Sequence, residues 1–369
     1  MRRLAWIGLW LLAATPAYAQ LGNHTNLNRL NRRICGRVVD YTQNHGQDNR
    51  IPSAALGIPR DLYVYLPPGY TPTKAYPLVL DMHVSYIDEH TFVALGRVSE
   101  IDQLITSGQM PPTIVACVDG LVDGKNSIFS VHSFFLDGVR GRFETHVLQE
   151  VIPFLMTQYS IRPEPQAHAL VGVSAGGFGA MSIALRHPEL FGAVAAIGAP
   201  LNLRYTTCRG RYFDNFDPST FRWSEVYDPN MVIGKAYFSL RKTRAKAFMA
   251  PVFGDGPDVV SRVKATNPAD IIARPDFQPG QLAMYIAYAG RDNYNFDAHA
   301  ESFLWIARQR GIAVDAVVDP FANHGLRFFR ENHIPAYLWA SRHILPPVDL
   351  IIGAPAIVQS DRNLDGATR

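Results

Sequence analysis

The chain has 369 residues, of which 47% are hydrophobic and 18% charged, a balance typical of a globular protein with a sizeable core. The formal net charge is +3, from 35 basic and 32 acidic residues. So small an excess gives no electrostatic reason to expect a nucleic acid or an anionic membrane as the partner.

Residues 1–19 predict a secretory signal peptide. Arg2 and Arg3 precede the apolar run 4–14, and the small residues at 17–19 form a cleavage site after Ala19. The apolar run is too short to span a bilayer, and no later stretch predicts a membrane span. We expect an exported protein, periplasmic or extracellular, whose mature chain carries 33 basic and 32 acidic residues.

Residues 20–50 predict an N-terminal lead-in with one strand at 37–41, and residues 51–345 predict a domain in which strands and helices alternate. Short apolar runs indicate strands buried on both faces, and apolar residues three and four apart indicate helices. The alternation predicts an α/β fold, with a mostly parallel central sheet and helices on both faces. The strands are expected at 61–66, 76–82, 113–118, 167–173, 192–199, 282–289 and 313–318, and the helices at 91–106, 142–158, 175–186, 298–310 and 331–342.

The alternation is interrupted at residues 203–280. This stretch is rich in aromatic residues but has no clear strand period, and we expect it to fold over the strand ends as an inserted cap. Its rings could line a substrate pocket or pack the cap against itself. Residues 346–369 predict a loose C-terminal tail.

Three cysteines remain in the predicted mature chain, an odd number for an exported protein. Cys117 lies within an apolar strand, which predicts a buried structural residue. Cys35 and Cys208 could pair or stay free. The spacing of the cysteines matches no zinc motif.

The run Gly-Val-Ser-Ala-Gly-Gly at 172–177 contains a Gly-x-Ser-x-Gly pattern between a predicted strand and a predicted helix. A serine on a tight strand-to-helix turn presents its hydroxyl at the sheet edge, and only small neighbours fit around so sharp a bend. The start of the following helix offers backbone N–H groups to a developing oxyanion. Ser174 is therefore the predicted nucleophile.

A serine nucleophile needs a base in contact with it and an acid to orient that base. Such an acid and then a histidine are expected on loops after later strands. Asp292 and His324 each follow a predicted strand in this order. Asp297 is the rival acid, although its place at the start of a helix is explained by capping. We predict a triad of Ser174, His324 and Asp292.

The oxyanion needs two donors that are already in position. One is expected to be the backbone N–H of Ala175, the residue after the nucleophile. The second is expected in the loop after strand 76–82, where we predict the backbone N–H of Ser85.

Together these residues resemble the esterase D, or putative esterase, family of α/β-hydrolases. This family includes S-formylglutathione hydrolases, feruloyl and acetylxylan esterases, enterochelin esterases and the antigen 85 mycolyltransferases. The resemblance covers about residues 60–338. It is carried by Val-Tyr-Leu-Pro-Pro-Gly-Tyr at 64–70, the helix pattern at 141–153, the serine turn extended through Gly177 and Phe178, Asp292 and His324.

The resemblance implies an α/β-hydrolase fold and a Ser174–Asp292–His324 triad that acts on acyl esters or thioesters. It implies neither a metal nor an organic cofactor. The expected partner is a small-molecule or carbohydrate-linked acyl ester, and the oligomeric state stays open.

One residue departs from the family pattern. The family commonly has His-Gly after the third strand, whereas His83 is followed here by Val84. A valine restricts both the backbone and the space near the oxyanion, so the departure bears on the second donor and not on the triad.

Three functions are compatible with these residues. The first is an exported serine esterase that hydrolyses its acyl-enzyme with water. The second is an acyltransferase that passes the acyl group to a sugar or lipid alcohol. The third is a catalytically silent binding module on the same fold, supported only by Val84.

A histidine base predicts a pH dependence. Activity is expected to rise as the imidazole of His324 loses its proton, because only the neutral ring can accept the serine proton. The profile of kcat/KM between about pH 5 and 8 measures this. A flat profile over that range would argue against His324 as the base.

Overall fold

The computed structural model describes residues 26–85, 87–124, 130–236 and 241–350. The predicted signal peptide and the predicted tail beyond residue 350 lie outside these ranges. No helix within the described ranges is long and apolar enough to cross a membrane.

An eight-stranded sheet forms the centre of the fold, with strand order β1-β2-β5-β4-β8-β9-β14-β15. The β1–β2 and β2–β5 pairs are antiparallel, and every later pair is parallel. The strands of this sheet are β1 (Arg37–Tyr41), β2 (Leu62–Leu66), β4 (Leu78–Met82), β5 (Ile114–Val118), β8 (His168–Val173), β9 (Ala193–Ile197), β14 (Ala283–Ala289) and β15 (Asp315–Asp319).

Helices cover both faces of the sheet, which confirms the predicted α/β fold. The helices are α1 (Leu27–Asn31), α2 (Thr91–Ala94), α3 (Arg97–Thr106), α4 (Phe143–His146), α5 (Ile152–Gln158), α6 (Ala175–Arg186), α7 (Ala245–Phe253), α8 (Val259–Thr266), α9 (Pro268–Ala273), α10 (Phe296–Gln309) and α11 (Leu326–His343). A π-helical turn, Val147–Val151, joins α4 to α5.

Two predicted helices are interrupted, and one is longer than expected. The helix expected at 91–106 is divided into α2 and α3, and the one at 142–158 contains the π-helical turn. The last helix begins at Leu326 instead of residue 331, because Phe328 is buried against the sheet and extends the apolar face by a turn.

The segment expected as a cap contains strands that its sequence did not reveal. Two antiparallel hairpins lie there, β10–β11 (Tyr205–Thr207 with Phe221–Trp223) and β12–β13 (Val232–Ala236 with Arg241–Arg244). Strands this short show no usable period in the sequence. The helices α7, α8 and α9 complete the segment.

Four short strands in the described ranges lie outside the sheet and the cap. Two of them, β6 (Asp137–Gly138) and β7 (Gly141–Arg142), form a small hairpin. The other two, β3 (Lys74–Ala75) and β16 (Val348–Asp349), pair with each other, so the first residues of the predicted tail are held to the domain. Cys117 is buried as predicted, whereas Cys35 and Cys208 are exposed and unpaired with each other.

A buried ion pair links β4 to the helices on one face of the sheet. Arg97 Nη1 lies 2.9 and 2.8 Å from the two carboxylate oxygens of Asp81, and the Tyr337 hydroxyl donates to one of them at 2.8 Å. Burial alone would raise the pKa of Asp81, but the positive charge of Arg97 holds it well below its usual range. The pair therefore connects α3, β4 and α11.

The hydrogen bond from Tyr337 to Asp81 predicts that Tyr337→Phe destabilises the fold. The substitution keeps the ring and removes a donor to a buried carboxylate, so the free energy of unfolding should fall by about 1.5–3 kcal/mol in denaturant titrations. Tyr285→Phe is the control, because this buried ring lies on the same face of the sheet. Equal losses in the two variants would contradict the assigned role of the hydroxyl.

Candidate active site

Ser174 lies on the sharp turn between β8 and α6, with φ 52° and ψ −115°. The close packing around this turn excludes larger neighbours. A Cβ on Gly172 would lie 2.3 Å from the carbonyl oxygen of Gly176, and a Cβ on Gly176 would lie 2.2 Å from that of Met82. The sequence places glycine at both positions, and the helix can therefore begin directly against the end of β4.

The structure brings the three predicted triad residues together. The Ser174 hydroxyl lies 3.0 Å from His324 Nε2, and His324 Nδ1 lies 2.8 Å from Asp292 Oδ2. Asp292 follows β14 and His324 follows β15, and both strands run parallel to β8. The carboxyl ends of these strands therefore place all three side chains at one edge of the sheet.

The acid is more deeply buried than the base. The side chains of Asp292 and His324 are 1% and 9% exposed. The second oxygen of the Asp292 carboxylate accepts the backbone N–H of Tyr294 at 2.8 Å. With the carboxylate as acceptor, Nδ1 carries the imidazole proton, and Nε2 is left to accept the hydroxyl proton of Ser174.

Three aromatic rings surround the His324 imidazole. The ring centroids of Tyr294, Phe296 and Phe329 lie 5.1, 5.2 and 5.0 Å from that of His324, each at a steep interplanar angle. These contacts restrict rotation of the imidazole. Sequence reasoning missed them, although Tyr294 and Phe296 closely follow Asp292.

The rival acid Asp297 lies in the first turn of α10. Burial, together with the nearby charge of Asp292, raises the pKa of Asp297 to about 6. The imidazole of His324 is bonded to Asp292 instead.

The two predicted oxyanion donors belong to the residue after Ser174 and to the loop after the neighbouring strand β4. Ala175 is the first residue of α6, where a backbone N–H has no acceptor within the helix. Ser85 lies in the turn after β4, and β4 is hydrogen-bonded to β8 with Met82 opposite Gly172. The loop that carries Ser85 therefore begins beside the serine turn.

A pair of buried histidines supports that loop, and sequence reasoning did not identify it. His83 Nε2 accepts the backbone N–H of Gly120 at 2.9 Å. His132 Nδ1 accepts the N–H of Phe134, so its Nε2 donates to the His83 carbonyl at 3.2 Å. Burial lowers the pKa of both imidazoles, which favours their neutral forms. The two rings thus fix the backbone at the start of the loop.

Val84, the residue that departs from the family pattern, is half-buried. It lines a crevice together with Val173, Leu326 and Phe329. Valine at this position thus contributes an apolar wall next to the residues that hold Ser174 and His324.

No group of three or more His, Cys, Asp or Glu residues is arranged to hold a metal ion in the described part of the chain. The side chains that meet at this edge of the sheet are the serine hydroxyl, the imidazole and the carboxylate.

Residues 53–247 match a protein-family model described as "Putative esterase". An endo-1,4-beta-xylanase/feruloyl esterase of Xylanibacter ruminicola is 29% identical over 157 residues, which are 40% of this chain. The chain spans only 21% of the length of that relative.

Many solved structures share the fold, and two of them serve as examples. A ferulic acid esterase has a TM-score of 0.61 and 18% identity, and the match covers 84% of this chain and 99% of that one. An S-formylglutathione hydrolase from Agrobacterium tumefaciens has a TM-score of 0.57 and 15% identity, with coverage of 85% and 97%. These similarities confirm the predicted α/β-hydrolase fold.

The packing at the serine turn predicts that Gly176→Ala reduces the reactivity of Ser174. The added Cβ would meet backbone oxygens of Met82 and His83, which cannot move aside as a side chain can. The start of α6 would shift, and with it the N–H of Ala175. We expect the rate of labelling by a fluorophosphonate to fall by roughly 10²-fold, as for loss of one oxyanion donor.

Gly256→Ala is the matched control for this experiment. A Cβ on Gly256 meets nothing within 4 Å, so native reactivity is expected. Labelling of Gly176→Ala at the native rate would mean that the contact with β4 does not set the position of the turn.

Proposed function

The chain belongs to the putative esterase family, as the sequence resemblance predicted, and from this premise we propose that it is an exported serine hydrolase that cleaves a carboxylic ester. The observation that carries the proposal is the chain of short contacts from Ser174 through His324 to Asp292. Export is supported by the signal-like composition of residues 1–19.

In the proposed first step, the Ser174 oxygen attacks the ester carbonyl carbon while His324 Nε2 takes the hydroxyl proton. Asp292 holds Nδ1–H and stabilises the positive imidazolium that forms. The tetrahedral intermediate collapses when its bond to the alcohol oxygen breaks. His324 returns its proton to that oxygen, and the alcohol leaves behind an acyl-enzyme.

In the second step, water attacks the acyl carbon and gives a proton to His324 Nε2. Collapse of this intermediate releases the carboxylic acid, and the proton returns to Ser174. The negative oxygen that forms in both steps is stabilised by the N–H groups of Ala175 and Ser85. Residues of this chain thus take every role in the proposed reaction.

The substrate is proposed to be a small-molecule or carbohydrate-linked acyl ester. This is supported by the name of the Xylanibacter relative, which combines a xylanase with a feruloyl esterase. Hydroxycinnamoyl and acetyl esters of sugars are therefore the first substrates to test.

The proposal predicts a single covalent adduct on Ser174. Intact-mass analysis after exposure to a fluorophosphonate should show one adduct on the native protein and none on Ser174→Ala. No adduct on the folded native protein would favour the silent binding module.

Asp292→Asn is expected to lower kcat by on the order of 10³–10⁴-fold with little loss of substrate binding, because an amide favours the wrong tautomer of His324. Hydrolysis of p-nitrophenyl acetate and of a feruloyl ester measures this change. Asp297→Asn is the matched control, since Asp297 does not bond to the imidazole, and its kcat should remain within about threefold of native.

Product analysis with an added sugar or lipid alcohol as acceptor distinguishes hydrolysis from acyl transfer.

A further inference from the structure

A hairpin of the cap is bonded directly to the loop that carries Asp292. The backbone N–H of Lys235, on β12, donates to the carbonyl of Asn293 at 2.9 Å. In return, Asn293 Nδ2 donates to the carbonyl of Lys235 at 3.1 Å. These two reciprocal hydrogen bonds fix the position of β12 against the loop that carries Asp292, at the residue that follows it.

The ring of Tyr294 packs closely against Gly234, the neighbouring residue on β12. A Cβ at Gly234 would lie 2.4 and 2.5 Å from two carbons of that ring, and 3.1 Å from Cβ of Thr243 on β13. The absence of a side chain at Gly234 is therefore what allows the ring to fit beneath the hairpin.

Tyr294 is linked to both the acid and the base of the proposed triad. Its backbone N–H donates to the Asp292 carboxylate at 2.8 Å, and its ring packs at 66° on the imidazole of His324. A second part of the cap holds the same residue, because the buried hydroxyl of Tyr212 donates to the Tyr294 carbonyl at 2.8 Å. Tyr294 is thus held from the cap on two sides.

We propose that the β12–β13 hairpin, through the contact between Gly234 and the ring of Tyr294, positions the His324 imidazole for proton transfer with Ser174. Gly234 and Tyr294 are positioning residues, since they act through His324 and touch no reacting atom. The inference rests on the proposed function of the triad. It assigns to the cap a role in holding the base, beyond covering the strand ends.

The physical reason is that an imidazole can rotate about its Cα–Cβ and Cβ–Cγ bonds unless packing prevents it. The bond to Asp292 fixes one ring nitrogen, but the plane of the ring is set by the aromatic residues around it. Of these rings, that of Tyr294 is in contact with the hairpin, at Gly234. A shift of about 1 Å at such a group can lower a rate by about 10²-fold.

The test compares Gly234→Ala with Gly256→Ala, a cap glycine whose added Cβ would meet nothing. We expect Gly234→Ala to lower kcat for p-nitrophenyl acetate by about 10–100-fold while KM changes by less than about threefold. Gly256→Ala should keep native values. A structural role alone would lower the melting temperature without this separation of kcat from KM.

Substitutions at Tyr294 keep the proposal falsifiable even where Gly234→Ala does not fold. Tyr294→Phe retains the ring and is expected to keep kcat within about twofold of native, whereas Tyr294→Leu should lose about 10-fold or more. Equal activity of these two variants would overturn the proposal, because the ring contact would then not matter.

A second readout does not depend on ester hydrolysis. The Nδ1 proton of His324, bonded to Asp292, should give a low-field proton NMR signal that is absent in His324→Gln. In Tyr294→Leu and Gly234→Ala this signal should shift and broaden through faster exchange with water. An unchanged signal in both variants overturns the positioning role. A native protein that fails to react with a fluorophosphonate overturns the proposed function instead, and the NMR comparison still decides the positioning.

Discussion

The backbone of Ser174 is the constraint on which the rest of the site depends. Its φ of 52° is costly for a residue with a side chain, by about 1–3 kcal/mol, and such a conformation persists only where the surroundings impose it. Here the imposing groups are the buried strand before it and the helix after it. The close contacts of Gly172 and Gly176 allow these two elements to meet at so short a distance. A relaxed turn would point the hydroxyl away from His324 Nε2, which lies 3.0 Å from it.

The parallel pairing of the strands brings the other residues of the site together. The strands β8, β9, β14 and β15 run in the same direction, so the loops after them meet at one edge although they are far apart in sequence. Ser174 and His324 are 150 residues apart, yet their reacting atoms lie within hydrogen-bond distance. The long cap segment between β9 and β14 does not disturb this geometry, because its ends return to adjacent, paired strands.

The strands of the sheet and the identities of the proposed triad residues could be predicted from sequence, because both depend on local signals. Buried strands such as β5 and β9 are short apolar runs. Ser174 and Asp292 follow the buried strands β8 and β14, and His324 follows the exposed edge strand β15. The features that were missed depend on contacts between distant residues. The bond from His132 to the His83 carbonyl spans 49 positions, and that from Tyr212 to Tyr294 spans 82. Hydrophobic periodicity carries no information about such pairs, and the short cap hairpins have too few residues to show a period.

Tyr294 connects the cap to the proposed triad. Its backbone N–H donates to Asp292, and its ring contacts both the imidazole of His324 and Gly234 of the cap hairpin. If the hairpin positions the imidazole, then a substrate group that displaces β12 also displaces the base. Binding at the cap and the rate of proton transfer would then be coupled through one ring, without any movement of the sheet. Ser174 stands on the closely packed sheet, whereas His324 would be held in part by the cap. The orientation of His324 would then be the most adjustable element of this site.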